Sequence, residues 1–140
     1  MANMNAKENL LNKVKITIVS KCTVSNPWRD LGYVNKYRMK LWYNERSITY
    51  IFYDSVYNFK NNVKPDKLGS LYCILGDRNA YRYSSSLKDF CDNFGYDQYA
   101  PMDYARSIYK ACGKIAEKLE ALFTDEELDQ LEEELYEAGY

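Results

Sequence analysis

The side chains able to cut, transfer or coordinate are few in this sequence and thinly spread. Four cysteines stand at Cys22, Cys73, Cys91 and Cys112, and the chain has no histidine. No two of the cysteines form a C-x-x-C pair, the spacing that delivers two thiolates to one zinc ion. Buried apolar thiols are therefore the expected state of all four. Without histidine, the commonest general base and metal ligand is missing. Asp66, Asp77, Asp89, Asp92 and Asp97 could be gathered around a cation by folding, but nothing in their spacing requires it. Helix-capping and turn roles account for Asp66, Asp89 and Asp97. Six glycines leave little room for a phosphate-cradling loop, and neither G-x-x-x-x-G-K-[ST], G-x-G-x-x-G nor G-x-S-x-G occurs. The sequence thus reads as non-enzymatic, with no catalytic residue, no metal site and no cofactor.

The elements that must present the remaining side chains follow from periodicity. In Lys13–Val19, Val14, Ile16 and Ile18 share one face of a strand, and Lys13, Lys15 and Thr17 share the other. Asn26-Pro27-Trp28 reads as a turn. Tyr37–Tyr43 alternates again, with Tyr37, Met39, Leu41 and Tyr43 against Arg38, Lys40 and Trp42. The link Asn44-Glu45-Arg46 joins it in a hairpin to Ser47–Tyr53, which is rich in β-branched and aromatic residues.

Near Pro65 the period changes to helical. Leu68, Leu71, Tyr72 and Leu75 fall at i, i+3, i+4 and i+7, and a turn-like stretch from Gly76 to Ser85 follows. Ser86 caps a helix carrying Leu87, Phe90, Cys91 and Phe94, with Gly95 as its stop. Past a link from Tyr96 to Pro101, one apolar stripe runs from Ala105 through Ile108, Tyr109, Cys112, Ala116 and Leu119 to Phe123. Thr124-Asp125-Glu126-Glu127 is a capping box for a last helix with Leu128, Leu131 and Leu135, ended by Gly139. The expected fold class is α+β: a small antiparallel sheet of about three strands packed on about four helices. Residues 1–140 read as a single domain, with 1–12 as a flexible lead-in.

The first residues lack the basic and apolar regions of a secretory signal, and no apolar run approaches the ~20 residues of a membrane span. A cytoplasmic location without membrane contact is expected. The net charge of −1 conceals a division. Through Arg46 the chain carries nine bases against Glu8, Asp30 and Glu45; from Glu117 onward it carries ten acids against Lys118 alone. Two surfaces result. Lys13, Lys15, Arg38, Lys40 and Trp42 would form a basic, aromatic sheet face, a combination that tracks phosphates and stacks on bases. Asp129, Glu132, Glu133, Glu134 and Glu137 would form an acidic face on the last helix. These acids lie toward a helix C-terminus, where carboxylates are mildly unfavourable, so cations elsewhere would relieve them. The protein's own basic half, a second copy in a homodimer, and a partner's nucleic-acid-binding groove are the three sources.

One resemblance bears on this choice. Phe90–Asp97 reads FCDNFGYD, Ala105–Cys112 reads A-x-x-IY-x-x-C, Lys118–Phe123 reads KLEALF, and Glu126–Leu131 reads EELDQL. Together they resemble an uncharacterised family of small proteins encoded by phages and prophages of low-GC Gram-positive bacteria. That family pairs an N-terminal strand region with this helical signature, so the resemblance spans most of the chain. Gln98 to Met102 replaces a shorter polar link, so no site in that loop carries over. The resemblance implies a phage or mobile-element protein in an infected or lysogenic bacterium, acting by binding a host protein. Inhibition of a host defence nuclease, in the manner of an anti-CRISPR, would use the acidic helix as a substitute for phosphate. An accessory nucleic-acid-binding role in phage replication or recombination, through Lys15, Arg38, Lys40 and Trp42, is the alternative.

Overall fold

The computed structural model describes residues 9–26, 32–94 and 102–140. Its order is a short 3₁₀ helix (Leu10–Lys13), strands β1 (Lys15–Ser25), β2 (Tyr33–Tyr43) and β3 (Arg46–Tyr53), then helices α1 (Val56–Lys60), α2 (Lys67–Tyr83), α3 (Leu87–Phe94), α4 (Met102–Leu122) and α5 (Asp125–Glu137). The strands form one antiparallel sheet in the order β1-β2-β3. The α+β class therefore holds, with the sheet in the N-terminal half and the helices after it.

The alternation in β2 decides which way the sheet faces. Tyr37, Met39, Leu41 and Tyr43 are buried, and Tyr50 joins them from β3. They pack against Leu71, Ile74 and Leu75 of α2, Ile115 and Leu119 of α4, and Leu128, Leu131 and Leu135 of α5. Burying this continuous set is the main driving force for the fold. Tyr50 enters the core with its hydroxyl 2.7 Å from Ser70 Oγ, so the polar tip is satisfied. The β2–β3 turn is tighter than the three-residue link read from the sequence. Tyr43 pairs with Arg46, leaving Asn44 and Glu45 at φ 54° and 66°. Two successive positive φ values match a type I′ turn, whose twist suits a hairpin.

Four expectations about the elements are corrected. The stretch Gly76–Ser85 is not a turn but the second half of α2, which runs unbroken to Tyr83. Local propensity yields there to tertiary support. Tyr81 stacks on Tyr109 of α4 at 4.9 Å between ring centroids, and Arg78 and Arg82 both reach Glu120. The close approach needs Gly113, where an added Cβ would lie 2.8 Å from the Tyr81 ring. Second, α1 is a helix that periodicity did not signal. Ser55 caps it by accepting from Asn58 N–H. Third, the lead-in reading fails from Asn9 onward. Leu10 and Leu11 are buried in the main core, and their backbone N–H groups donate to Glu134 at 3.1 and 3.0 Å. Fourth, β1 continues past Val19 to Ser25, with an irregularity in pairing between Ile18 and Ser20. That bulge carries the strand beyond the predicted end.

Other expectations hold. Asp66 caps α2 through Gly69 N–H, and Ser86 accepts from Asp89 N–H at the start of α3. Thr124 and Glu127 form the reciprocal capping box of α5, and Gly139 follows its end at φ 101°. Phe90, Ile108 and Cys112 form a second buried cluster with Tyr81 and Tyr109 packed against it. Pro27, Trp28, Gly95 and the link from Tyr96 to Pro101 lie outside the described residues.

Candidate functional site

The two charged faces lie on opposite layers, with the main core between them. The outer sheet face is built by strand pairing. Lys15 is opposite Trp42, Thr17 opposite Lys40, and Ser20 opposite Arg38. Across β2–β3, Arg38 is opposite Ile51 and Lys36 opposite Tyr53. Directly opposed residues project to the same side of a sheet, so Lys15, Lys36, Arg38, Lys40 and Trp42 share one surface. Lys15, Arg38 and Trp42 are exposed, while Lys36 and Lys40 are half-buried. Lys40 Nζ lies 4.2 Å from the centroid of the Trp42 ring, a cation–π contact that holds the indole against the sheet. The sequences of β1, β2 and β3 contain no aspartate or glutamate, so no carboxylate within the sheet offsets these cations. Ile18 and Val19 on β1 and Ile51 on β3 are exposed apolar side chains of the same sheet. Lys13, grouped with this face from sequence, lies in the 3₁₀ helix rather than on a strand.

The acidic face is partly dismantled by the structure. Glu134 is an internal anchor: its carboxylate accepts from Leu10 and Leu11 N–H and from Gln130 Nε2. The polar lead-in offered no sign of this, because the contact spans 123 positions. Glu132 accepts from the Asn79 side chain of α2. Asp129, Glu133 and Glu137 remain exposed, with no hydrogen-bond or ion-pair partner among the described residues. They lie at i, i+4 and i+8 on one side of α5, opposite the stripe of Leu128, Leu131 and Leu135.

The protein's own cations do answer some of the acids: Arg78 and Arg82 of α2 pair with them, and Arg46 of the basic N-terminal region adds an electrostatic pull on Glu127. Arg78 Nε donates to Glu120 at 3.1 Å and Arg82 Nε at 2.7 Å. The Arg82 hydrogen bond, with Arg78 behind it, holds the Glu120 carboxyl below its usual range, and Glu120 raises Arg82 in return. Arg78 also lies 3.7 Å from Asp125, whose side chain is 90% exposed. That pair is screened by water and contributes little. Glu127 is lowered first by its hydrogen bond from Thr124 N–H and then by the Tyr43 hydroxyl, which donates to it. Arg46, counted among the N-terminal bases, donates to the Ala121 and Leu122 carbonyls at 3.1 and 3.0 Å. It therefore caps the C-terminus of α4, a fitting place for a cation.

The thiols divide. Cys91 and Cys112 are buried as expected, and burial pushes the Cys112 thiol up to about 12. Cys22 and Cys73 are exposed, which corrects the reading of all four as buried. Cys22 lies on β1, one edge of the sheet, and Cys73 on the solvent side of α2, positions that apolar content alone does not distinguish. No group of three or more metal-ligating side chains gathers among the described residues, and no helix there is long and apolar enough to cross a membrane. Comparison with protein-family models, curated proteins and solved structures yields no match.

Proposed function

We propose that this chain is a non-enzymatic phage or mobile-element protein that works by binding, and that its principal contact surface is the outer face of the sheet, which takes a single-stranded nucleic acid. One observation carries the reading. Lys15, Lys36, Arg38 and Lys40 are gathered with Trp42 on a sheet face that contains no carboxylate. Cations two residues apart along β2 are spaced roughly 6.6 Å, so they follow an extended backbone, while the indole offers a stacking platform. Four neutralised phosphates would give a salt slope of about −2.8, or roughly a fiftyfold loss of affinity between 50 and 200 mM salt.

Fluorescence anisotropy with labelled single-stranded DNA and RNA tests this. Arg38→Glu with Lys40→Glu should abolish binding, Trp42→Ala should weaken it, and Asp129→Lys with Glu133→Lys should leave it unchanged or tighter. Absence of salt-sensitive binding by the wild-type protein would refute the assignment.

A second reading is kept for one reason: Asp129, Glu133 and Glu137 stay exposed without partners. A host protein, such as a defence nuclease complex, would engage these acids through its own phosphate-binding groove, as an anti-CRISPR can. The resemblance of Leu87–Leu135 to phage proteins supplies this setting. Under it, the same acid reversals would abolish capture of the host nuclease, while Arg38→Glu with Lys40→Glu would leave capture intact.

A further inference from the structure

We infer that the groove between β3, α2 and α4 is a binding site for a small organic anion with an apolar body. The groove encloses about 740 Å³, within the roughly 300–1,000 Å³ typical of small-molecule sites. Its walls are mostly apolar, with Phe52, Ile74, Phe90, Ile108 and Ile115 among them. Lys110 and Lys114, one turn apart on α4, also line it. Neither has an ion-pair partner among the described residues. An apolar trough with two unanswered ammonium groups suits a molecule whose carboxylate or phosphate pairs with lysine while its body displaces water from the walls.

Two details narrow the occupant. The open edge of β3 could accept an added peptide strand, but the Thr49 carbonyl on that edge already accepts from Lys118 Nζ at 2.6 Å. A docking strand would have to displace this bond, which is how lysines blunt sheet edges. Asp77 also lines the groove, without a hydrogen-bond or ion-pair partner among the described residues. Apolar crowding raises its carboxyl to about 6. Water reaches it through the open mouth, so the desolvation is partial. Unlike the lysines, this group would repel a second negative charge, so the ligand is anionic at one end only.

The test uses the full chain and 1-anilinonaphthalene-8-sulfonate, an aromatic anion, followed by fluorescence, with laurate, AMP and inorganic phosphate as competitors. Saturable binding is expected, displaced by laurate if the natural body is an acyl chain and by AMP if it is a nucleoside. Displacement by inorganic phosphate as effective as by either would overturn the requirement for an apolar body. Lys110→Glu with Lys114→Glu, both exposed positions, should weaken the probe by at least roughly tenfold, the scale of losing a charge-assisted hydrogen bond. Ala111→Trp, which fills the groove from an exposed lining position, should abolish binding with the far-ultraviolet circular dichroism unchanged. Bound probe should slow alkylation of Cys73, which lines the groove, and leave Cys22 unaffected. Arg38→Glu with Lys40→Glu on the sheet face should not change probe affinity, so this site stands or falls apart from the nucleic-acid surface. Non-saturable probe binding, or equal binding by the Ala111→Trp protein, would refute the site.

Discussion

Removing the Glu134 carboxylate should cost far more stability than removing its neighbours Glu133 or Glu137, although all three look alike in the sequence. In the structure Glu134 accepts two backbone hydrogen bonds, from Leu10 at 3.1 Å and Leu11 at 3.0 Å. Hydrogen bonds to a charged group contribute about 1.5–3 kcal/mol each. Both are only part-buried, so water partly replaces the lost acceptor, and about 2–4 kcal/mol is expected for Glu134→Ala. At this chain length that corresponds to a fall of roughly 6–12 °C in Tm. The effect does not end with the two bonds, because Leu10, Leu11 and Val14 are all buried in the main core. Local detachment of this segment would expose them, which places the true cost toward the upper end. Glu134→Gln retains one carbonyl oxygen for two donors and should lose about half as much. Glu133→Ala and Glu137→Ala, with no partners among the described residues, should stay within about 0.5 kcal/mol of wild type. Urea denaturation followed by circular dichroism compares the four proteins, and hydrogen exchange at the Leu10 and Leu11 amides reports the segment directly. A Glu134→Ala protein as stable as Glu137→Ala, with those amides still protected, would refute the anchoring role.

Core packing gives a second expectation: Phe90→Ala should destabilise by about 3–5 kcal/mol and Ile108→Ala by about 2–5 kcal/mol in the same denaturation assay, since both lie in the smaller buried cluster. The pH dependence should run in opposite senses at two carboxyls. The folded pKa of Asp77, about 6, lies above its ordinary 3.8. The native state therefore holds a proton that the unfolded chain has released, and stability falls as pH rises from about 4 to 6. Asp77→Asn should remove that decline and stabilise the protein near neutral pH. Glu120 is depressed below its usual 4.5 by Arg82 and Arg78, so its contribution is present above that value and lost as pH falls through the lower folded value. Glu120→Gln should therefore cost stability near neutral pH and progressively less as the pH falls below 4.5, as urea midpoints measured across the range would show. In native protein, mass spectrometry after brief alkylation should find Cys22 and Cys73 modified and Cys91 and Cys112 protected. Rapid labelling of Cys112 would place the second cluster on the surface.

How far the sequence reaches depends on whether its signals are local. Alternation over Tyr37–Tyr43 determined which side of the sheet is buried, because period-two geometry leaves one choice once an apolar row exists. The caps at Asp66, Ser86 and Thr124 were equally legible, since a side chain satisfying a backbone N–H three residues on needs nothing from the rest of the chain. The gathering of Lys15, Arg38, Lys40 and Trp42 on one face followed from the same alternation. Tertiary structure decided the rest. Gly76–Ser85 has the composition of a turn, yet ion pairs with Glu120 and the packing of Tyr81 over Gly113 keep it helical. Leu10 and Leu11 look like the end of a frayed leader until Glu134 binds them from the far end of the chain. The groove draws its walls from β3, α2, α3 and α4, so no stretch of sequence contains it. The acidic residues of α5 show the division most plainly. Helical spacing puts Asp129, Glu133 and Glu137 on one exposed stripe, but only the packing of α5 against the 3₁₀ helix and α2 turns Glu134 and Glu132 into internal acceptors, because a carboxylate's role is set by the donors that folding brings to it.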